Sequence, residues 1–146
     1  MHSFLGNKKV VRLGGYTAGG FSDNIDSEIL DTNGFDSVTF IANIGTITAT
    51  GTATVSIRDG NDDGLNDAKD VDGSEITYTA SDGSKVAIIE IYRPAKRYAQ
   101  VRIARATANV VIESATAILR DPTRVPVVQD DPSIQDTVFL SSPADS

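Results

Sequence analysis

One stretch constrains the fold of this chain more than any other: residues 86–128, VAIIEIYRPAKRYAQVRIARATANVVIESATAILRDPTRVPVV. Val, Ile, Tyr and Thr dominate it, and these side chains suit a pleated, half-buried surface. It divides into strands at 86–92, 97–105 and 109–120, parted by Arg93-Pro94-Ala95-Lys96 and by Ala106-Thr107-Ala108. In the second strand Ala99, Val101 and Ile103 share one face, while Gln100, Arg102 and Ala104 share the other. A period of two gives one side to a core and the opposite side to water or a partner.

The rest of the chain has the same character. Val38, Phe40, Ala42 and Ile44 line one face of a strand that begins near Phe35, and Gly45 is expected to end it. Ala53, Val55 and Ile57 alternate with Thr54 and Ser56 in a strand entered through Thr50-Gly51. Ile76 and Tyr78 mark a short strand, and Ser81-Asp82-Gly83-Ser84 reads as a hairpin turn into the next. Seven or eight short strands without a convincing helix predict an all-β fold, an antiparallel β-sandwich of jelly-roll type. The sandwich is expected over residues 25–128, as one domain. Residues 1–24 read as an N-terminal arm, because Gly14-Gly15 and Gly19-Gly20 loosen everything but a short edge strand near Val10, Val11 and Leu13. Residues 129–146 read as an extended C-terminal tail, with Ile134, Val138, Phe139 and Leu140 as an apolar knot that packs on its own domain or on a neighbouring copy.

Charge narrows the function. The net charge of −7 argues against nucleic acid as a partner, since non-specific binding needs a basic surface. No run approaches the roughly 20 apolar residues of a membrane helix, and the opening residues lack an apolar signal core, so assembly in a cytoplasm without membrane attachment is expected. Cysteine is absent, which removes disulfides and thiol chemistry. The charge is also polarised. Residues 59–75 carry seven acids against Lys69, whereas residues 85–105 carry six bases against Glu90. An acidic loop and a basic hairpin either dock copies of a molecule together or form solvated faces of one domain.

The catalytic inventory is thin. His2 is the only histidine, so no Ser-His or Cys-His pair exists, and no Lys-Ser or Lys-Thr follows the paired glycines to make a phosphate loop. The expectation is that the chain is not an enzyme. The sharpest local pattern is Asp59, Asn61, Asp63, Gly64 and Asp70, whose spacing matches oxygen ligands and the sharp glycine turn of an EF-hand or dockerin-like calcium loop. Its flanks read as strand rather than helix, so the alternative is a polar turn. If calcium binds, the chain reads as a calcium-dependent binding module, for example for carbohydrate; otherwise no cofactor is expected. A second set, Tyr92, Arg93, Lys96, Arg97, Tyr98, Arg120 and Arg124, combines the residue types enriched at interface anchors. Cation–π pairing within the domain is the competing role for the same residues.

Three segments together carry a resemblance: residues 33–40 (NGFDSVTF), the Asp-Asp-Gly of residues 62–64, and residues 95–127 beginning AKRYAQVRIARA. They resemble the small decoration, or cement, proteins encoded near the major capsid protein of tailed bacteriophages. The similarity is one of pattern over residues 31–128. It implies that Lys96-Arg97-Tyr98 enters a late core strand and that the segment from Asp121 to Pro126 closes the domain. It further implies a virion protein on the capsid exterior, assembled in the host cytoplasm, that bridges subunits of the major capsid protein and acts as a dimer or trimer. A tail or baseplate component is the neighbouring alternative.

Overall fold

The computed structural model describes residues 3–141, and His2 and the last five residues of the expected tail lie outside them. The chain folds into two antiparallel sheets packed face to face. Its strands are β1 (Lys9–Gly14), β2 (Thr17–Gly20), β3 (Asp23–Asp26), β4 (Leu30–Asp31), β5 (Phe35–Ile47), β6 (Thr52–Gly60), β7 (Lys69–Asp70), β8 (Ile76–Tyr78), β9 (Val86–Tyr92), β10 (Tyr98–Ala106) and β11 (Val110–Pro122). A single helical turn, α1 (Phe4–Asn7), precedes them, capped by Ser3 Oγ accepting from the Gly6 amide. The first sheet runs β1-β11-β5-β9, with β2 also on β11. The second runs β3-β10-β6-β7, with β4 on β10 and β8 on β6. The all-β sandwich read from the alternation is therefore the fold.

The core lies where the two inner faces meet. Val38, Phe40, Ala42 and Ile44 of β5 and Ala117 and Leu119 of β11 are buried on one side. Ala53, Val55 and Ile57 of β6 and Ala99, Val101 and Ile103 of β10 are buried on the other. Each fully buried branched or aromatic side chain contributes roughly 1.5–3 kcal/mol. These two rows of side chains, more than any hydrogen bond, hold the layers together.

Three expectations are corrected by the topology. Gly45 does not end its strand, for β5 continues to Ile47 and pairs with β11 through a bulge, where the register shifts between Val110, Ile112 and Ser114. A Cβ on Gly45 would stand 3.1 Å from Val111 Cγ1, so the glycine admits the bulged partner. The bulge also flips parity: β11 buries Val110 and Ile112 before it, and Ala115, Ala117 and Leu119 after it. The turn at residues 81–84 does not join a hairpin, because β8 and β9 belong to different sheets. It opens instead with a short 3₁₀ turn, Ala80–Asp82, closed by Asp82 accepting from the Thr79 amide and hydroxyl. Likewise β9 and β10 do not form a basic hairpin. Arg93, at φ 53, and Pro94 carry the chain from one sheet to the other.

From Lys9 onward, the expected N-terminal arm is built into the sandwich. β1 and β2 both pair with β11, and β3 pairs with β10. The paired glycines serve close packing there: a Cβ on Gly20 would meet Arg105 Nη2 at 2.5 Å.

Candidate interaction surface

The residues grouped as interface anchors fall on both sheets. Tyr92 ends β9 and is exposed, with the Arg93 guanidinium 5.1 Å from its ring centroid. Arg120, on the neighbouring part of the same sheet across Ser37, forms an ion pair with Glu90 of β9. Tyr98 opens β10 in the second sheet, with Arg97 just before it. Arg97 donates from Nε and Nη2 to the two Asp31 oxygens at 2.9 and 2.8 Å, and lies 5.1 Å from the Tyr98 ring centroid. The Asp31 hydrogen bonds hold the Arg97 guanidinium even more firmly protonated than usual. Cation–π pairing within the domain, the competing role for these residues, thus occurs at Arg93 with Tyr92 and at Arg97 with Tyr98. Lys96 is exposed beside Asp59 and Asp67, and its charge opposes the desolvation that raises the Asp59 carboxyl. Arg124 is exposed past the end of β11, in a shallow cleft with Lys9, Phe35 and Pro122.

The calcium spacing does not become a cage. Asp59 lies within β6, paired with Ala99 on one side and Lys69 on the other. Asn61 Oδ1 accepts from the Arg97 amide at 3.4 Å, and Asp70 lies in β7 with its carboxylate 3.4 Å from Arg58 Nε. Asp63 is exposed. The loop is instead organised by two acids outside the expected ligand set. Asp67 accepts from the amides of Asn61 and Asp62, which lowers its carboxyl below the usual range, and Asp62 accepts from Gly64 and Asn66. Among the described residues no three carboxylate or imidazole side chains converge to hold a metal. The polar turn is what the loop forms, because side-chain oxygens that satisfy local amides are not aimed at a common centre.

A ladder of ion pairs along β10 escaped the sequence reading. Arg102 grips Asp26 through Nε and Nη2 at 2.7 and 2.9 Å, and Arg105 grips Asp23 at 2.7 and 2.5 Å. Hydrogen bonds from these guanidiniums and from Arg97 pull the carboxyls of Asp23, Asp26 and Asp31 below their ordinary value. Arg105 has the inward parity of Ala99, Val101 and Ile103 and is only 5 % exposed. Its Nη1 donates to the carbonyls of Ala18 at 2.7 Å and Val110 at 2.9 Å, so one side chain ties β10 to the opposite sheet. Much of the basic charge at residues 85–105 is thereby neutralised inside the domain. The signal was present as aspartates at positions 23, 26 and 31, but pairing them needed the β10 register.

The two edges of the first sheet are treated differently. Outside β1, the amides of Val10 and Arg12 donate to Gln129 Oε1 and Ser133 Oγ, both at 3.0 Å, and Lys9 pairs with Asp130 at 2.9 Å. Gln129 Nε2 donates in turn to the Leu5 carbonyl at 2.9 Å. The early tail is thus a cover for this edge. Outside β9 no strand pairs among the described residues. Val86, Ile88 and Tyr92 are exposed there, Ile88 at 62 %. Further along the tail, Val138, Phe139 and Leu140 stand 72, 69 and 80 % exposed. Between the β1–β2 corner and β3 lies an open cleft of about 350 Å³ lined by Leu13, Tyr16, Ile25, Asp26, Glu28 and Val101 among others.

Fold and surface together define an antiparallel β-sandwich whose exposed chemistry is apolar edge, ion pair and extended tail. No family model and no curated protein matches the chain. Among solved structures, the PBSX exported protein XepA is similar in fold, with 12 % identity and a TM-score of 0.57 over 96 % of this chain. The chain spans 46 % of the length of that protein. A structure described as Bacillus endospore appendages forming a family of disulfide-linked pili gives 17 % identity and a TM-score of 0.45, over 82 % of this chain and 94 % of that one.

Proposed function

We propose that this chain is a structural virion protein that decorates the outside of a tailed-phage capsid and bridges neighbouring subunits of the major capsid protein. The observation that carries the reading is the placement of exposed binding chemistry on a sandwich whose strands are tied by ion pairs within each sheet and by Arg105 between the sheets. Val86, Ile88 and Tyr92 lie in one edge strand, next to Arg93 and close to Arg120. Aromatic and arginine side chains beside aliphatic ones anchor protein surfaces, and many such contacts repeated by icosahedral symmetry add by avidity. A chain that works this way needs rigidity and reach more than a cavity with polarised catalytic groups.

The test is co-sedimentation of the purified chain with phage heads that lack it, against free capsid subunits. Saturable binding to assembled heads, none to free subunits, and a higher rupture temperature for decorated heads are expected. Equal binding to free subunits, or none to heads, contradicts the reading.

A further inference from the structure

We propose that the apolar end of the tail, residues 138–140, adds as a strand to the open edge of β9 in a second copy of this chain. The proposal goes beyond the capsid reading and does not depend on it.

The acceptor is defined by pairing. The Arg93 amide donates to the Asp36 carbonyl at 2.6 Å, and the Ile44 amide donates to the Lys85 carbonyl at 3.3 Å. These bonds set the odd positions of β9 as the ones bonded to β5. The amides and carbonyls of Val86, Ile88, Glu90 and Tyr92 therefore point away from the sheet, toward an empty strand position. Among the described residues every other edge is blunted. β2, β3, β4, β7 and β8 are two to four residues long, and all but β2 and β8 carry aspartate. β1 is covered by Gln129 and Ser133. Among the edge strands of the described residues, β9 alone runs seven residues without proline or bulge and with aliphatic side chains exposed. An edge of this kind is a template for another strand.

The donor is the chain's own tail. Residues 134–142, IQDTVFLSS, contain no proline or glycine and lie between Pro132 and Pro143. Val138 and Phe139 have high strand propensity, and both they and Leu140 are exposed. Charge favours the match, since Asp136 precedes the apolar residues and β9 is bracketed by Lys85 and Arg93. The acid therefore meets a cation whether the added strand runs parallel or antiparallel.

Reach decides between the same copy and another one. Ser133 is fixed outside β1, and the empty position lies beyond β9, on the far side of β11 and β5. Five strand spacings of about 4.8 Å separate these places, roughly 24 Å. The five residue steps to Val138 extend at most about 17 Å. The segment cannot lie along its own β9, so the acceptor belongs to a neighbour. Donor and acceptor are different surfaces, which makes the contact head-to-tail and able to propagate into rings or chains.

Sedimentation velocity on the full chain over a concentration series tests this. The wild type is expected to associate beyond the dimer. A tail variant, Val138→Asp with Leu140→Asp, and an edge variant, Ile88→Pro, are each expected to weaken association about tenfold or more while melting like the wild type. Ile88→Pro removes an outward amide that no strand in the domain uses. Should Ile88→Pro melt early, Ile88→Lys replaces it. Mixing the two variants is expected to restore a 1:1 dimer and nothing larger, because one intact tail then meets one intact edge. A monomeric wild type overturns the proposal, as does association that survives the tail substitutions and is lost only at β9.

Discussion

Arg105 carries more structure than any other single side chain. Four of its N–H groups are used by Asp23, Ala18 and Val110, and those partners come from both sheets. Replacing it with Met keeps much of the apolar stem but leaves two carbonyls without donors. Asp23 is partly exposed and can recover water, so the cost falls toward the low end for a broken buried pair, about 2–3 kcal/mol. Urea unfolding of Arg105→Met checks it. The lowered carboxyls of Asp23, Asp26 and Asp31 set a pH dependence. A depressed carboxyl contributes stability above its unfolded value, near 3.9, and loses it as pH falls through the folded value. Asp59, raised by desolvation, works in the opposite sense but is one group against several. The urea midpoint should hold from about pH 7 to about pH 5 and fall below about pH 4, with a shallower fall in Asp26→Asn. These aspartates lay in plain view in the sequence, yet their partners are more than 60 residues away, and only the strand register joins them.

At the scale of elements, alternation was the legible part. β9 begins and ends where its pattern does, and β6 and β10 bury the residues that their period of two assigned inward. What the pattern did not carry is which sheet each strand joins. Strands adjacent in sequence, β5 and β6 or β9, β10 and β11, alternate between sheets, so turn residues that look like hairpin corners are crossings. Glycines misled for a related reason: Gly45 and Gly20 serve close approach of Val111 and Arg105 rather than chain termination or looseness. The calcium spacing did not foretell the geometry of its residues, because Asp59 pairs within β6 and Asp70 pairs within β7 while Asp62 and Asp67 bind the loop's own amides. The tail was legible as extended but not as an edge cover. Its Gln129 satisfies the Val10 amide and the Leu5 carbonyl at once, so Gln129→Ala should cost about 1–2 kcal/mol and speed hydrogen exchange at Val10. Unchanged exchange at Val10 would show that the tail does not protect this edge.

For the whole molecule, length, charge and residue inventory narrow the expectations without naming a partner. A chain of 146 residues with a net charge of −7 and no cysteine folds as a sandwich on its hydrophobic pattern alone. Where it acts is written in surfaces that composition averages away: an edge strand left open, cations neutralised in one place and exposed in another, a tail fixed along its first part and apolar beyond. The capsid role proposed for it has a direct test in cryo-electron microscopy of purified virions, with and without this chain. Regular density on the outer surface of the head, fitted by the sandwich, bridging capsid subunits and absent from particles lacking the chain, is the expected result. Density confined to the tail, or heads indistinguishable in its absence, would contradict it.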